Sequence, residues 1–82
     1  MRISAQIAVY PLRQERLAPA VQAVNNALAA RGLSPEIGPM STVVTGETDA
    51  IFTALHEAFG KVADTGKVVM TVTLSNACRV ES

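Results

Sequence analysis

The chain has 82 residues, of which 49% are hydrophobic and 17% charged, with one tyrosine, two phenylalanines and no tryptophan. This composition excludes a disordered segment and leaves room for one domain over residues 1–82, its aliphatic residues suiting packed layers of helix and sheet. Seven basic residues cancel seven acidic ones and none of the basic residues are adjacent, which argues against nucleic acid as a partner.

Apolar runs of only a few residues and the absence of a leader pattern argue against membrane insertion. The single cysteine, Cys78, forms no internal disulfide and agrees with a cytoplasmic location. A domain this short buries only about 60% of the surface its unfolded form exposes, so self-association is the expected supplement to its stability.

Apolar residues alternate from Ile3 through Ala5 and Ile7 to Val9, predicting a first strand that ends at Pro11. Leu17, Val21, Val24 and Leu28 then mark one face of a helix between positions 16 and 31, with Pro19 in its first turn and Gly32 as its left-handed stop. The stretch LSPEIGPM is a short strand broken by two prolines, and STVVTGE follows as a better one. Thr48 is placed to cap a second helix, with Asp49 near its positive end and Phe52, Leu55, Phe59 and Val62 as its buried stripe, supported by Ile51 and Ala58. ADTG is a loop, and KVVMTVTLSNAC carries the last strand.

The order strand, helix, strand, strand, helix, strand predicts an α+β, ferredoxin-like βαββαβ sandwich. Its antiparallel four-stranded sheet has the order 4-1-3-2, with both helices on one face. The other face carries Ser4, Gln6, Ala8, Tyr10, Val43, Thr45, Val69, Thr71, Thr73 and Ser75, an uncharged set suited to a second subunit. A homodimer, or a dimer of dimers, is expected through it.

Taking the first and third strands as parallel neighbours puts the starts of both and the end of the fourth on one edge. That expectation gathers Ile3 and Ala5 with Met40 and Thr42 and with Asn76 and Cys78, below Leu55 and Phe59 of the second helix. A hydroxyl and an amide among apolar side chains make a small-molecule pocket. Polar residues at strand ends also simply cap backbone groups or meet water, and spacing alone leaves both readings open.

The runs AVYPL, GLSPEIGPMSTVVTGE and VVMTVTLSNAC, in this order, resemble the thiamine-binding protein family of small ferredoxin-like domains, the group that includes YkoF-type proteins. The resemblance implies non-catalytic binding of thiamine or its hydroxymethylpyrimidine portion between sheet and helices, in uptake or salvage of the vitamin. It also implies assembly of separate chains into dimers or tetramers. Its motif positions here are Met40, Ser41 and Thr42, then Ser75, Asn76 and Cys78, with Glu36 in the same matching stretch. For such a ligand, Phe59 or Met40 would cover the ring, the Asn76 amide and the Ser41 and Thr42 hydroxyls would meet its edge, and Glu36 would face the thiazolium charge. No cofactor besides the ligand is expected.

Two alternatives stand beside this reading. A protein-interaction or regulatory module would use the uncharged sheet face without any small molecule. A small dimeric enzyme needs a base or nucleophile, and the candidates are His56, which falls off the apolar stripe, and Cys78, with no histidine beside it. One histidine and one cysteine do not complete a four-ligand zinc site, so no metal is expected.

Overall fold

The computed structural model describes residues 1–12 and 17–77. Strand β1 (Arg2–Pro11) leads to helix α1 (Ala18–Ala30), then to the hairpin of β2 (Glu36–Ile37) and β3 (Thr42–Glu47), helix α2 (Thr48–Ala63) and strand β4 (Val68–Ser75). The sheet order is β2-β3-β1-β4 and every pairing is antiparallel. This is the ferredoxin-like arrangement expected from the element order.

Alternation decides what each strand buries. Ile3, Ala5, Ile7 and Val9 of β1 and Thr42 and Val44 of β3 are buried, and Val68, Met70 and Val72 of β4 pack against the same core. Their neighbours Gln6, Tyr10, Val43, Val69, Thr71 and Thr73 are exposed on the opposite face. Ser4 and Thr45 join hydroxyls across that face at 3.1 Å.

Helix α1 starts later than its apolar spacing suggests. Leu17 precedes the first turn, where its carbonyl accepts from the Ala20 and Val21 amides, and its side chain is half-exposed. Pro19 lies in the first turn, where a missing N–H costs no helical bond. At the other end Gly32 has φ +78°. Its amide donates to Ala29 and that of Leu33 to Leu28, the paired bonds of a Schellman stop.

Helix α2 buries the expected Ile51, Ala58 and Val62, with Leu55 packed against the core, but not the expected phenylalanines. Its buried residues are Ile51, Ala54, Ala58 and Val62, while Phe52 and Phe59 are 51% and 45% exposed. Small alanines let α2 lie close to the sheet, and that approach leaves the phenyl rings on its flank. Thr48 is not a side-chain cap either; it is the first helical residue, and its hydroxyl and amide both donate to the Met1 carbonyl. Gly46, just before the helix, is buried where an added Cβ would lie 2.5 Å from Leu33 Cδ2.

One expectation about direction fails, with consequences for the site. β1 and β3 are antiparallel, with Arg2 opposite Glu47 and Ile7 opposite Thr42. The crossover through α1 brings β2 in parallel to β1, and the hairpin then reverses the chain, so β3 must run against β1. The start of β3 therefore lies by the second half of β1, and the end of β4 lies by its beginning, with Ser75 opposite Ser4.

Candidate ligand site

The two ends of the sheet are built unequally. β1 continues to Pro11 along β4, but its pairing with β3 stops at Ile7 because the chain leaves the ladder in the turn before Thr42. Gly38 donates its amide to the Ser41 carbonyl at 2.8 Å and holds that turn closed. Pro39 cannot donate to a ladder, so β2 stays two residues long. Between this turn and the start of α1, the flank of β1 beyond Ile7 is left without a strand among the described residues.

A groove of about 90 Å³ occupies that space. Its floor is β1 from Ile7 to Tyr10, one wall is Leu17, Val21 and Val24 of the α1 entry, and the other runs from Ile37 to Thr42. No charged side chain lines it among the described residues. The volume is far below the roughly 300–1,000 Å³ of pockets for drug-sized ligands, so it suits one small uncharged ring rather than a large cofactor. Ile37 and Met40 at its mouth are 63% and 79% exposed, large apolar surface that an occupant would cover.

The GPMST turn is thus a wall of the groove, but the residues expected to join it do not. Thr42 is buried at the inner face and Met40 stands at the mouth. Ser41 contributes to the lining, while its hydroxyl accepts from Gln6 Nε2 at 3.1 Å on the open face. Ser75 and the exposed Asn76 lie at the opposite end; Ser4, the partner of Ser75, is three residues from Ile7, roughly 10 Å along the strand. The Asn76 amide approaches the Met1 sulfur at 4.0 Å, and Ser75 Oγ accepts from the Ala77 amide at 3.0 Å. The grouping of Thr42 with Asn76 is therefore corrected by the antiparallel pairing. Phe59 sits on the exposed flank of α2 and does not line the groove.

Glu36 is also displaced from the proposed contact. It pairs with Val43 and shares that residue's open face, so the groove receives Ile37 instead. Cys78 lies outside the described residues. His56, the only histidine, is exposed on α2 away from the groove.

The structure adds a residue that the apolar spacing concealed. Asn25 is only 5% exposed, one step from Val24 and four from Val21 on the inner side of α1. Its Nδ2 donates to the Val21 carbonyl at 2.8 Å and, more weakly, to Thr42 Oγ1 at 3.4 Å. Its Oδ1 is buried and, among the described residues, is the one such side-chain atom without a hydrogen-bond partner. An orphaned acceptor of this kind costs about 1–3 kcal/mol. Position 25 falls four residues after Val21, within the helix's apolar stripe, and an amide there was the available signal.

Solved structures match almost the whole chain. A hypothetical protein of Methanocaldococcus jannascii aligns with TM-score 0.86 at 22% identity, covering 98% of this chain and 89% of that one. A Thermotoga maritima protein named for thiamine biosynthesis or salvage aligns with TM-score 0.84 at 20% identity, covering 99% and 92%. A Streptococcus pneumoniae protein aligns with TM-score 0.83 at 25% identity, covering 100% and 92%. No curated protein matches. The family model described as thiamine-binding protein matches residues 5–79, which include the floor of the groove, both its walls and the Asn25–Thr42 pair behind it. The chain belongs to the thiamine-binding protein family.

Proposed function

We propose that this protein binds thiamine or its hydroxymethylpyrimidine portion without catalysis, with the pyrimidine in the groove between the end of β1, the start of α1 and the GPMST turn. The observation that carries this reading is an uncharged, ring-sized groove beside Thr42 in a chain of the thiamine-binding family. Apolar side chains would cover the ring faces, with Met40 closing the mouth, and Thr42 would meet a polar edge. The cationic thiazolium of intact thiamine would project beyond the groove, whose described lining offers it no counter-charge.

The similar Thermotoga maritima protein is named for thiamine biosynthesis or salvage, which supports a role in salvage of the vitamin. No helix among the described residues is long and apolar enough to cross a membrane. Assembly belongs to the same proposal. The open sheet face exposes Tyr10, Val43 and Val69 among polar residues, with Glu36 beside Val43, and a second copy would cover it.

Calorimetry with thiamine, its phosphates and free hydroxymethylpyrimidine tests the ligand. Saturable binding accompanied by a ligand-dependent rise in melting temperature is expected. No heat and no thermal shift at millimolar ligand would remove the proposal. Light scattering after size exclusion should give at least a dimer at micromolar concentration.

A further inference from the structure

Strand β4 ends the sheet, with β1 on one side and no described strand on the other. The ladder shows which of its backbone groups face outward. The Leu12 amide donates to the Lys67 carbonyl, so this pair and every second pair after it, Tyr10 with Val69, Ala8 with Thr71 and Gln6 with Thr73, turn N–H and C=O toward each other. On the other flank of β1 the Thr48 amide donates to the Met1 carbonyl, which turns the odd-numbered residues of β1 to β3 and agrees with that phase. Val68, Met70, Val72 and Leu74 therefore direct their backbone groups away from β1. Edge strands are commonly protected by charge, proline, bulges or shortness. This one runs eight residues with no charge and no proline, in unbroken register with β1.

The helix layer beside this edge is apolar as well. Glu57 faces α1, where Arg31 donates to it. Phe52 and Phe59 lie about 140° and 160° around α2 from Glu57, on the side away from α1. That side leads to β4, because α2 is the crossover from β3 to β4 and the helix nearest that strand. Both rings are half-exposed and Leu74 is 41% exposed, and the three belong neither to the groove nor to the open face.

We propose that this edge is an interface with a second copy of the chain, joined β4 to β4 in antiparallel fashion about a twofold axis at Thr71. Val68 then meets the partner's Leu74 and Met70 the partner's Val72, which satisfies the outward groups with about eight hydrogen bonds. The phenylalanine flanks of the two α2 helices close over the junction. A second copy is the occupant because it brings a strand of equal length whose outward groups match in number and spacing, and because no charge on β4 meets its own image. Two four-stranded sheets become one. The open face stays available for the pairing proposed above, and edge and face together make a dimer of dimers. The edge interface is independent of any ligand in the groove.

Residue-resolved amide hydrogen exchange tests it, on wild type and on the double variant Phe52→Glu, Phe59→Glu, which sets carboxylates against carboxylates across the axis. In wild type every amide from Val68 to Leu74 should be protected. In the variant Val68, Met70, Val72 and Leu74 should exchange at least about 100-fold faster, while Val69, Thr71 and Thr73, bonded to β1, stay slow. The mass from light scattering should fall by half. Should the variant fail to fold, Val72→Pro replaces it, since the Val72 N–H points outward and no bond to β1 is lost; Met70 and Leu74 are then the reporters. Fast exchange of the four outward amides in wild type overturns the inference and leaves the ligand and open-face proposals standing. Protection that persists in the variants overturns it too, because the edge is then covered by something other than a second copy.

Discussion

The two ends of the β1–β3 ladder are built from different residues and do different things, a charged pair at one and an apolar residue beside a hydroxyl at the other. At one end β3 runs fully alongside β1, Glu47 stands opposite Arg2, and the Thr48 amide and hydroxyl both reach the Met1 carbonyl. At the other, the ladder stops at Ile7 while β1 goes on to Pro11, and the uncovered flank becomes the floor of a groove. A cavity here is a consequence of strand mismatch rather than of large lining residues. The paired end closes on Gly46, the unpaired end opens behind Gly38 and Pro39.

Ile7 belongs both to the core and to the groove floor and is 2% exposed. Ile7→Ala should lower unfolding free energy by about 2–5 kcal/mol in urea titrations, with altered ligand affinity in the folded fraction. At the closed end, Gly46→Val places a branched side chain against Leu33 and Ile51 and should cost about 1–3 kcal/mol while leaving affinity unchanged. A Gly46→Val protein with weakened binding would mean that the two ends are coupled.

Ligand titrations sharpen the contrast. Met40→Ala should weaken binding about 3- to 10-fold through lost apolar cover, and Asn76→Ala, at the other end, should change nothing measurable. Reversal of that pair of results would return the site to the Asn76 end.

The smallest expected effect lies outside both ends, where Arg31 at the close of α1 donates to both carboxylate oxygens of Glu57 on α2. These hydrogen bonds, reinforced by the charge of Arg31, hold the Glu57 carboxyl below its ordinary value. The stabilisation is therefore present above the ordinary glutamate range and is lost as pH falls through the lowered value. Glu57→Gln should lower the melting temperature slightly at neutral pH and make no difference in acid, since the pair is solvent-exposed.

Much of the fold was legible because each element carries a local physical signal. Alternation in β1 and β4, Pro19 in the first turn of α1 and Gly32 at its stop needed no partner to be read. On α2 the expected Ile51, Ala58 and Val62 are buried, but Phe52 and Phe59 are exposed and Ala54 is interior: phenylalanines outweigh alanines in hydrophobicity, whereas close approach to the sheet favours the smaller side chain. At the site, Met40, Ser41 and Thr42 were singled out from the GPMST turn and do line the groove, but Tyr10, Leu17 and Asn25 were not associated with them.

By itself, then, the sequence determined the elements, their order and which face of each strand is apolar, since these follow from period, caps and turns over a few residues. The tertiary structure decided which strand ends meet. That depends on the reversal at the β2–β3 hairpin and on a ladder that ends at Ile7, a length mismatch between segments more than thirty residues apart. It also decided that the Asn25 amide is enclosed beside Thr42 with one oxygen unpaired, because only packing of α1 on the sheet removes that group from water.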